Sequence, residues 1–253
     1  MLKEERQQKI LELLNEEKKV IASELSKRLT VSEDTIRRDF RELDEKGLIR
    51  RVHSGALRVG PPVTSFTHRQ NVATEAKKTL GEQALSFLKE DTVIIIDGGT
   101  TNLHLVKLIP IDFKATIITN SPPIATALAH HANIETIMLG GVMYKESMVN
   151  LGLDAAESLA LMRADLYIMG IYNIDSQAGI SVPTLAEAQI KRAMAKISTE
   201  VLGLVTADKL ETVSKNIVVP ADVLTYLIVD EMSEYIQNVY SQKNIIIRGV
   251  TLK

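Results

Sequence analysis

The stretch from Thr30 to Val59 admits few folds. Thr30-Val31-Ser32 interrupts two apolar-periodic runs. Before it, residues 4–17 place Ile10, Leu13 and Leu14 on one face, and residues 22–29 place Ala22, Leu25 and Leu29 on one face. That is the spacing of two short amphipathic helices. After it, Ser32 is a good N-cap, and Glu33 and Asp34 put negative charge at the positive end of a third helix. This helix, over residues 33–46, turns Ile36, Phe40 and Leu43 inward, and Gly47 stands just past its end as a C-cap. Residues 48–59 follow as two β-prone runs around a turn, where Gly55 can take a positive φ. The pattern predicts a helix-turn-helix followed by a two-stranded wing.

The outward face of the third helix carries Thr35, Arg37, Arg38 and Arg41, and the wing adds Arg50, Arg51, His53 and Arg58. A helix fits the DNA major groove, and its exposed face must offer donors to base edges and phosphates. Arginine offers a planar fork suited to guanine or a phosphate oxygen. The candidate DNA-binding set is therefore Ser32, Thr35, Arg37, Arg38, Arg41, Arg50, Arg51 and His53. The competing interpretation is a solvated helix face on which Asp39 and Glu42 neutralise the arginines. The order of helix, tight turn, capped basic helix and basic hairpin favours DNA.

The net charge of −2 does not advertise nucleic-acid binding, but its distribution does. Residues 1–60 hold 14 Lys and Arg against 12 Asp and Glu, and the remainder 16 against 20. A basic head is attached to an acidic body. There is no cysteine, which excludes a disulfide framework, a zinc-thiolate site and a cysteine nucleophile. No apolar run approaches the roughly 18 residues of a membrane span, and the charged N-terminus has no signal core, so a cytoplasmic protein is expected.

Residues 59–73 include Pro61-Pro62, are poor in aliphatics, and read as a linker between a DNA-binding domain (1–58) and a second domain (74–253). In the second domain, strand-like runs at 93–96, 116–119, 135–139, 166–169, 201–205, 226–229 and 244–247 alternate with helix-like runs near 74–89, 101–109, 122–131, 154–162, 186–199 and 231–240. Such alternation predicts a Rossmann-like, mostly parallel α/β sheet, with ligands beyond the C-terminal strand ends. At those ends stand Asp97, Gly98, Gly99, Thr100 and Thr101, then Asn120, then Asp208 and Lys209. Glycines and hydroxyls can cradle a phosphate, whereas Asp97 would repel one and is assigned to sugar hydroxyls or loop structure. The loop is neither a Walker loop nor a full dinucleotide fingerprint, so no cofactor is expected. Ser121 before Pro122 reads as an N-cap. Glu187 and Lys191, four apart on a helix, read by themselves as an exposed ion pair. His130 and His131 are adjacent on a helix and are not a metal pair, and no metal site is expected. The methionines, Met138, Met143 and Met194 among them, read as core filler.

Val31-Ser32-Glu33-Asp34-Thr35-Ile36-Arg37-Arg38-Asp39-Phe40, followed by Gly47-Leu48-Ile49-Arg50-Arg51-Val52-His53, resembles the signature of the DeoR family of bacterial transcriptional regulators. Phe40 stands where the family has leucine, and Ser54 replaces the first of two family glycines. The likeness extends through Asp97–Thr101, Thr119-Asn120-Ser121, Gly140-Gly141, Gly152, Ala164-Asp165, Glu187–Met194 and Ala207-Asp208-Lys209. It implies a sensor domain related to ribose-5-phosphate isomerases and coenzyme A transferases, a phosphorylated sugar or related metabolite as effector, relief of repression, and dimers or tetramers on double-stranded operator DNA. It also makes Lys191 an anion contact facing the pocket. Two departures stand out: Asn173 replaces a glycine in Gly170–Asp175, and the serine usual before the family's Lys209 is missing. The alternative is an active sugar-phosphate isomerase with a DNA-binding head. Asp97, Asp175 or Glu187 would then be the base, but no pattern marks a catalytic set.

Overall fold

The computed structural model describes residues 1–248 and the backbone of Thr251 and Leu252. Gly249, Val250 and Lys253, within the range expected for the second domain, lie outside the described residues. The N-terminal unit runs α1 (Lys3–Glu17), β1 (Lys19–Ile21), α2 (Ala22–Leu29), α3 (Glu33–Glu45), β2 (Ile49–Val52) and β3 (Gly55–Arg58). Ile10, Leu14, Leu25, Ile36, Phe40 and Leu43 form its core. Ser32 caps α3 by accepting from Thr35 N at 3.2 Å. Gly47 adopts φ +71°, and the bonds Gly47 N to Asp44 O and Leu48 N to Leu43 O close the helix as a Schellman motif.

The wing departs from expectation in two ways. It has three strands, because β1 pairs antiparallel with β3, giving the order β1-β3-β2. The turn uses His53 and Ser54, and neither they nor Gly55 has a positive φ. Gly55 is needed for a different reason: a Cβ there would meet Val20 O at 2.0 Å, so only glycine lets β1 lie against β3.

Residues 59–73 are more than a spacer. They contain α4 (Phe66–Gln70), whose Phe66 is buried in the second domain's core. The second domain continues with α5 (Thr74–Ala84), β4 (Val93–Ile96), α6 (Thr100–Val106), β5 (Ala115–Thr119), α7 (Pro122–Leu128), β6 (Ile134–Met138), the hairpin β7 (Val142–Tyr144) and β8 (Val149–Leu151), and α8 (Leu153–Ala160). Next come β9 (Ala164–Gly170), β10 (Asn173–Asp175), β11 (Gly179–Val182), α9 (Leu185–Ile197), β12 (Ser198–Val205), β13 (Asn216–Val219) and β14 (Tyr226–Val229). The chain closes with β15 (Glu231–Met232), α10 (Glu234–Ser241), β16 (Ile246–Arg248) and β17 (Thr251–Leu252).

Seven strands form one sheet in the order β16-β14-β12-β9-β4-β5-β6, every pair parallel. Alternate residues feed the cores on its two faces: Ile95, Tyr167, Met169, Val201 and Val205 on one, and Ile94, Ile96, Ile168, Leu202 and Leu204 on the other. Burial on both faces explains why these strands read as continuous apolar runs. From β4 the chain builds outward through β5 and β6, then returns to β9 beside β4 and builds the other way. The switch point lies between β4 and β9. A small antiparallel sheet, β10-β11-β13, was not anticipated.

Candidate functional site

The N-terminal surface is decided by where the acids of α3 point. Asp39 is buried and accepts from Arg6 Nε at 2.5 Å, Arg6 Nη2 at 3.1 Å and Gln7 Nε2 at 3.3 Å. Glu42 pairs with Lys3 at 2.7 Å and accepts from Gln7 at 2.9 Å. Both acids answer α1, so Asp39 and Glu42 are not the partners of the arginines of their own helix, of which Arg37 is paired instead by Glu33. Arg38 and Arg41 are exposed and have no hydrogen bond or ion pair among the described residues. Arg37 is held by Glu33 (Nε, 3.0 Å) and donates to His53 O at 3.4 Å, which ties the helix to the wing turn. A groove of about 390 Å³ between α3 and the wing is lined by Arg37, Arg41, Arg51 and His53 among others. Arg50 lies 4.0 Å from Asp44, which also accepts from Arg51 N at 2.9 Å. Ser32 is exposed, and Thr35 is half-buried beside it.

A cavity of about 560 Å³ lies at the C-terminal ends of four adjacent strands. Gly98–Thr101 reach it from β4, Gly170–Tyr172 from β9, Thr206–Lys209 from β12 and Asp230 from β14. It therefore sits at the switch point, where an open parallel sheet leaves room for a ligand. The remaining wall includes Pro61, Pro62, Thr64, His68, Arg69 and Val72 from the segment leaving the wing, Lys77 from α5, and Glu187 and Lys191 from α9.

Asp97 and Asn120 do not line this cavity; they border a void of about 10 Å³ behind it. Asp97 is 1% exposed and saturated. It accepts from Tyr167 Oη (2.5 Å), Gly170 N (2.7 Å), Asn102 Nδ2 (2.9 Å) and the Lys191 ammonium. These bonds give it a part in loop structure, the second of the two roles expected for it. The same contact, with burial as the larger cause, pushes Tyr167 well above the ordinary tyrosine range. Asn120 accepts from Gly98 N at 3.3 Å and donates to Asn150 O at 3.1 Å, which holds the glycine loop from below. Gly98 is glycine for packing, since a Cβ there would meet Val149 Cγ1 at 2.0 Å. Ser121 occupies the N-cap position of α7, but its hydroxyl donates to Met148 O at 3.3 Å instead of capping the helix.

Lys191 is not half of a surface pair. It is buried, forms its ion pair with Asp97, and donates to Gly170 O at 2.8 Å while lining the cavity. Glu187 is also buried, faces the cavity, and accepts from the Thr184 hydroxyl at 3.0 Å. Asp175 is buried in the β10–β11 turn, accepting from Gln177 N (2.9 Å) and Ala178 N (2.6 Å). Asp208 is exposed and Lys209 partly buried at the cavity edge. His68, Arg69, Lys77, Tyr172 and Asp230 line the cavity without having been singled out in the sequence.

A family model for a DeoR-like helix-turn-helix domain matches residues 6–60, and one for the DeoR C-terminal sensor domain matches residues 72–231. This chain belongs to the DeoR family. The DeoR-type chain is 31% identical over 228 residues to the HTH-type transcriptional regulator GolR of Listeria innocua, covering 89% of this chain and 90% of that one. It is 33% identical over 190 residues to the HTH-type transcriptional repressor CsqR of Escherichia coli, covering 75% and 73%. Against the L-fucose operon activator of Escherichia coli it is 28% identical over 242 residues, covering 91% and 96%. Ribose 5 phosphate isomerase A of Neisseria gonorrhoeae is similar to 55% of this chain, over 54% of its own, at 16% identity and a TM-score of 0.38, too slight a likeness to build on. As a DeoR-family member the protein is a DNA-binding transcriptional regulator with a sensor domain. No helix among the described residues is long and apolar enough to cross a membrane.

Proposed function

We propose that this regulator represses carbohydrate-metabolism genes and is released from operator DNA by a phosphorylated sugar or related metabolite bound in the switch-point cavity. The observation that carries this reading is the composition of the cavity wall. Part of it is the sheet's strand ends, and part is the segment that leaves β3 of the wing. A ligand there touches both domains' connection and can favour one arrangement of it. Effector and operator are then linked, each biasing a shared equilibrium by its differential affinity. Residues 1–58 bind DNA, 59–73 connect, and 74–253 sense.

On DNA, α3 lies in the major groove with Arg38 and Arg41 toward the bases, and the wing arginines and His53 meet the backbone. A cytoplasmic homo-oligomer presents two such helices; in a two-fold dimer they lie about 34–36 Å apart on successive turns. The protein is not an enzyme in this reading. A catalytic base needs a free lone pair beside its substrate; Asp97 is saturated and Asp175 is committed to a turn, which leaves Glu187, facing the cavity, as the one base of the isomerase alternative.

Fluorescence anisotropy on labelled DNA from upstream of the protein's own gene tests this, at fixed salt because phosphate-driven affinity varies steeply with it. Binding that one sugar phosphate reverses, with the sugar phosphate recovered unchanged, is the expected result. Binding insensitive to the whole panel would overturn the effector class, and recovery of an isomerised product would restore the enzyme alternative.

A further inference from the structure

Four strong cations line the cavity, and they are not equivalent. The charge of Lys191 is matched by Asp97. Arg69, Lys77 and Lys209 form no ion pair with a carboxylate among the described residues. Lys77 is buried and donates to two main-chain carbonyls, Arg69 O and Val72 O. An ammonium has three donors, so one remains. Lys209 reaches Ile171 O at 3.4 Å. Arg69 donates through Nη2 to Glu146 O at 2.9 Å and lies over the Tyr172 ring at 5.9 Å, while its Nη1 is buried without a partner. A buried donor left unmade is costly and marks a place for an acceptor. Burial first, then the neighbouring charges of Lys209 and Arg69, hold Lys77 down to about 8. Burial lowers Lys209 as well. Of the cavity's carboxylates, Glu187 accepts from Thr184, Asp230 accepts from Ala207 N at 2.8 Å, and Asp208 is exposed at the cavity edge, where its charge favours the Lys209 and Lys77 ammoniums without forming an ion pair with either.

We propose that the effector's anionic group, a phosphate monoester by class, binds against Arg69, Lys77 and Lys209, and not against Lys191 and the Gly98–Thr101 loop. The inference rests on the effector reading above and names its anion subsite. A phosphate offers several strong acceptor oxygens, matching three cations with unused donors. Arg69 sits on α4, Lys77 in the first turn of α5 and Lys209 in the short 3-10 turn that follows β12. The anion therefore draws the segment between the domains onto the sheet.

Isothermal titration of the full chain with inorganic phosphate at constant ionic strength tests the assignment. Arg69→Gln and Lys209→Gln should each weaken phosphate binding by about tenfold or more, as loss of a charge-assisted bond implies. The near-isosteric Thr101→Val should leave it unchanged. So should Arg38→Ala combined with Arg41→Ala, which excludes binding on the DNA face. No phosphate binding to the parent chain, or loss only in Thr101→Val, overturns the subsite. Operator release separates the two readings. If a sugar phosphate releases DNA equally from the parent and Arg69→Gln, the effector class stands and the subsite falls. If phosphate binds as described but no sugar phosphate releases DNA, the subsite stands and the effector reading falls.

Discussion

Replacing Asp97 with Asn leaves the Lys191 ammonium buried beside Gly170 O without a counter-charge. Breaking a buried pair at one partner costs about 3–5 kcal/mol, so urea denaturation of Asp97→Asn should show a loss of that order. A loss under about 1 kcal/mol would mean the pair is hydrated. Lys77 carries a pH signature. Its folded pKa of about 8 lies below its unfolded value near 10.5, so between these the unfolded chain holds the extra proton and stability rises with pH. An anion beside Lys77 raises that pKa again. Phosphate affinity should then fall as pH climbs above about 8, and a flat affinity from pH 7 to 9 in calorimetry would separate the anion from Lys77. On the DNA side, Arg38→Ala should weaken operator binding by about 1–3 kcal/mol if it reads a base. Unchanged anisotropy would remove it from the interface. At this scale the sequence is legible where one residue's role is local, as with the Ser32 cap. Asp97 was legible only as a carboxylate unsuited to phosphate, because its partners Tyr167 and Lys191 come from strands and helices 70 and 94 residues away. Arg69 and Lys77 were hidden by a linker-like composition and by an ordinary helical lysine.

Among the elements, α3 ends where glycine can take φ +71°, and Gly47→Ala should cost about 1 kcal/mol of stability in the N-terminal unit. Hydrogen exchange at Leu48, whose amide closes the Schellman motif, would report it, and unchanged protection there would contradict the strain. The inner sheet strands were legible because burial on both faces writes them as aliphatic runs, Val93–Ile96 being the plainest, whereas the edge strands β6 and β16 are partly exposed and carry Glu135 and Arg248. The antiparallel strands β10, β11 and β13 were not legible. They are three or four residues long, and Ser181 pairs with Ile217, 36 positions further along the chain, a pairing that no local pattern encodes. The wing's third strand is only Lys19-Val20-Ile21, too short for alternation to declare it. Met138 and Met143 are exposed where core was expected, while Met194 is fully buried. A methionine on β6 or β7 lacks the helical spacing that marks Met194.

At the scale of the whole molecule, the two domains share backbone hydrogen bonds as well as a peptide chain. Val213 N donates to Arg58 O at 3.1 Å, Gly60 N donates to Val213 O at 3.4 Å, and the Tyr172 hydroxyl donates to Pro61 O at 3.0 Å. Lys19 at the wing's edge reaches Gln177 at 3.0 Å. Sequence composition predicted two domains and a connection between them, but a proline pair and few aliphatics cannot disclose that the connection is pinned at both ends. The three residue steps from Arg58, the last residue of a wing strand, to Pro61 in the cavity wall span at most roughly 10 Å when extended. There is no slack to take up. A Gly-Ser pair inserted between Gly60 and Pro61 should therefore leave operator binding in place and abolish the effector's influence on it; an undiminished response would mean the signal travels by another route. A tether this short acts as a rod instead of a leash, so its length, and not only the chemistry of the cavity, sets how much of a ligand's grip is felt at the DNA.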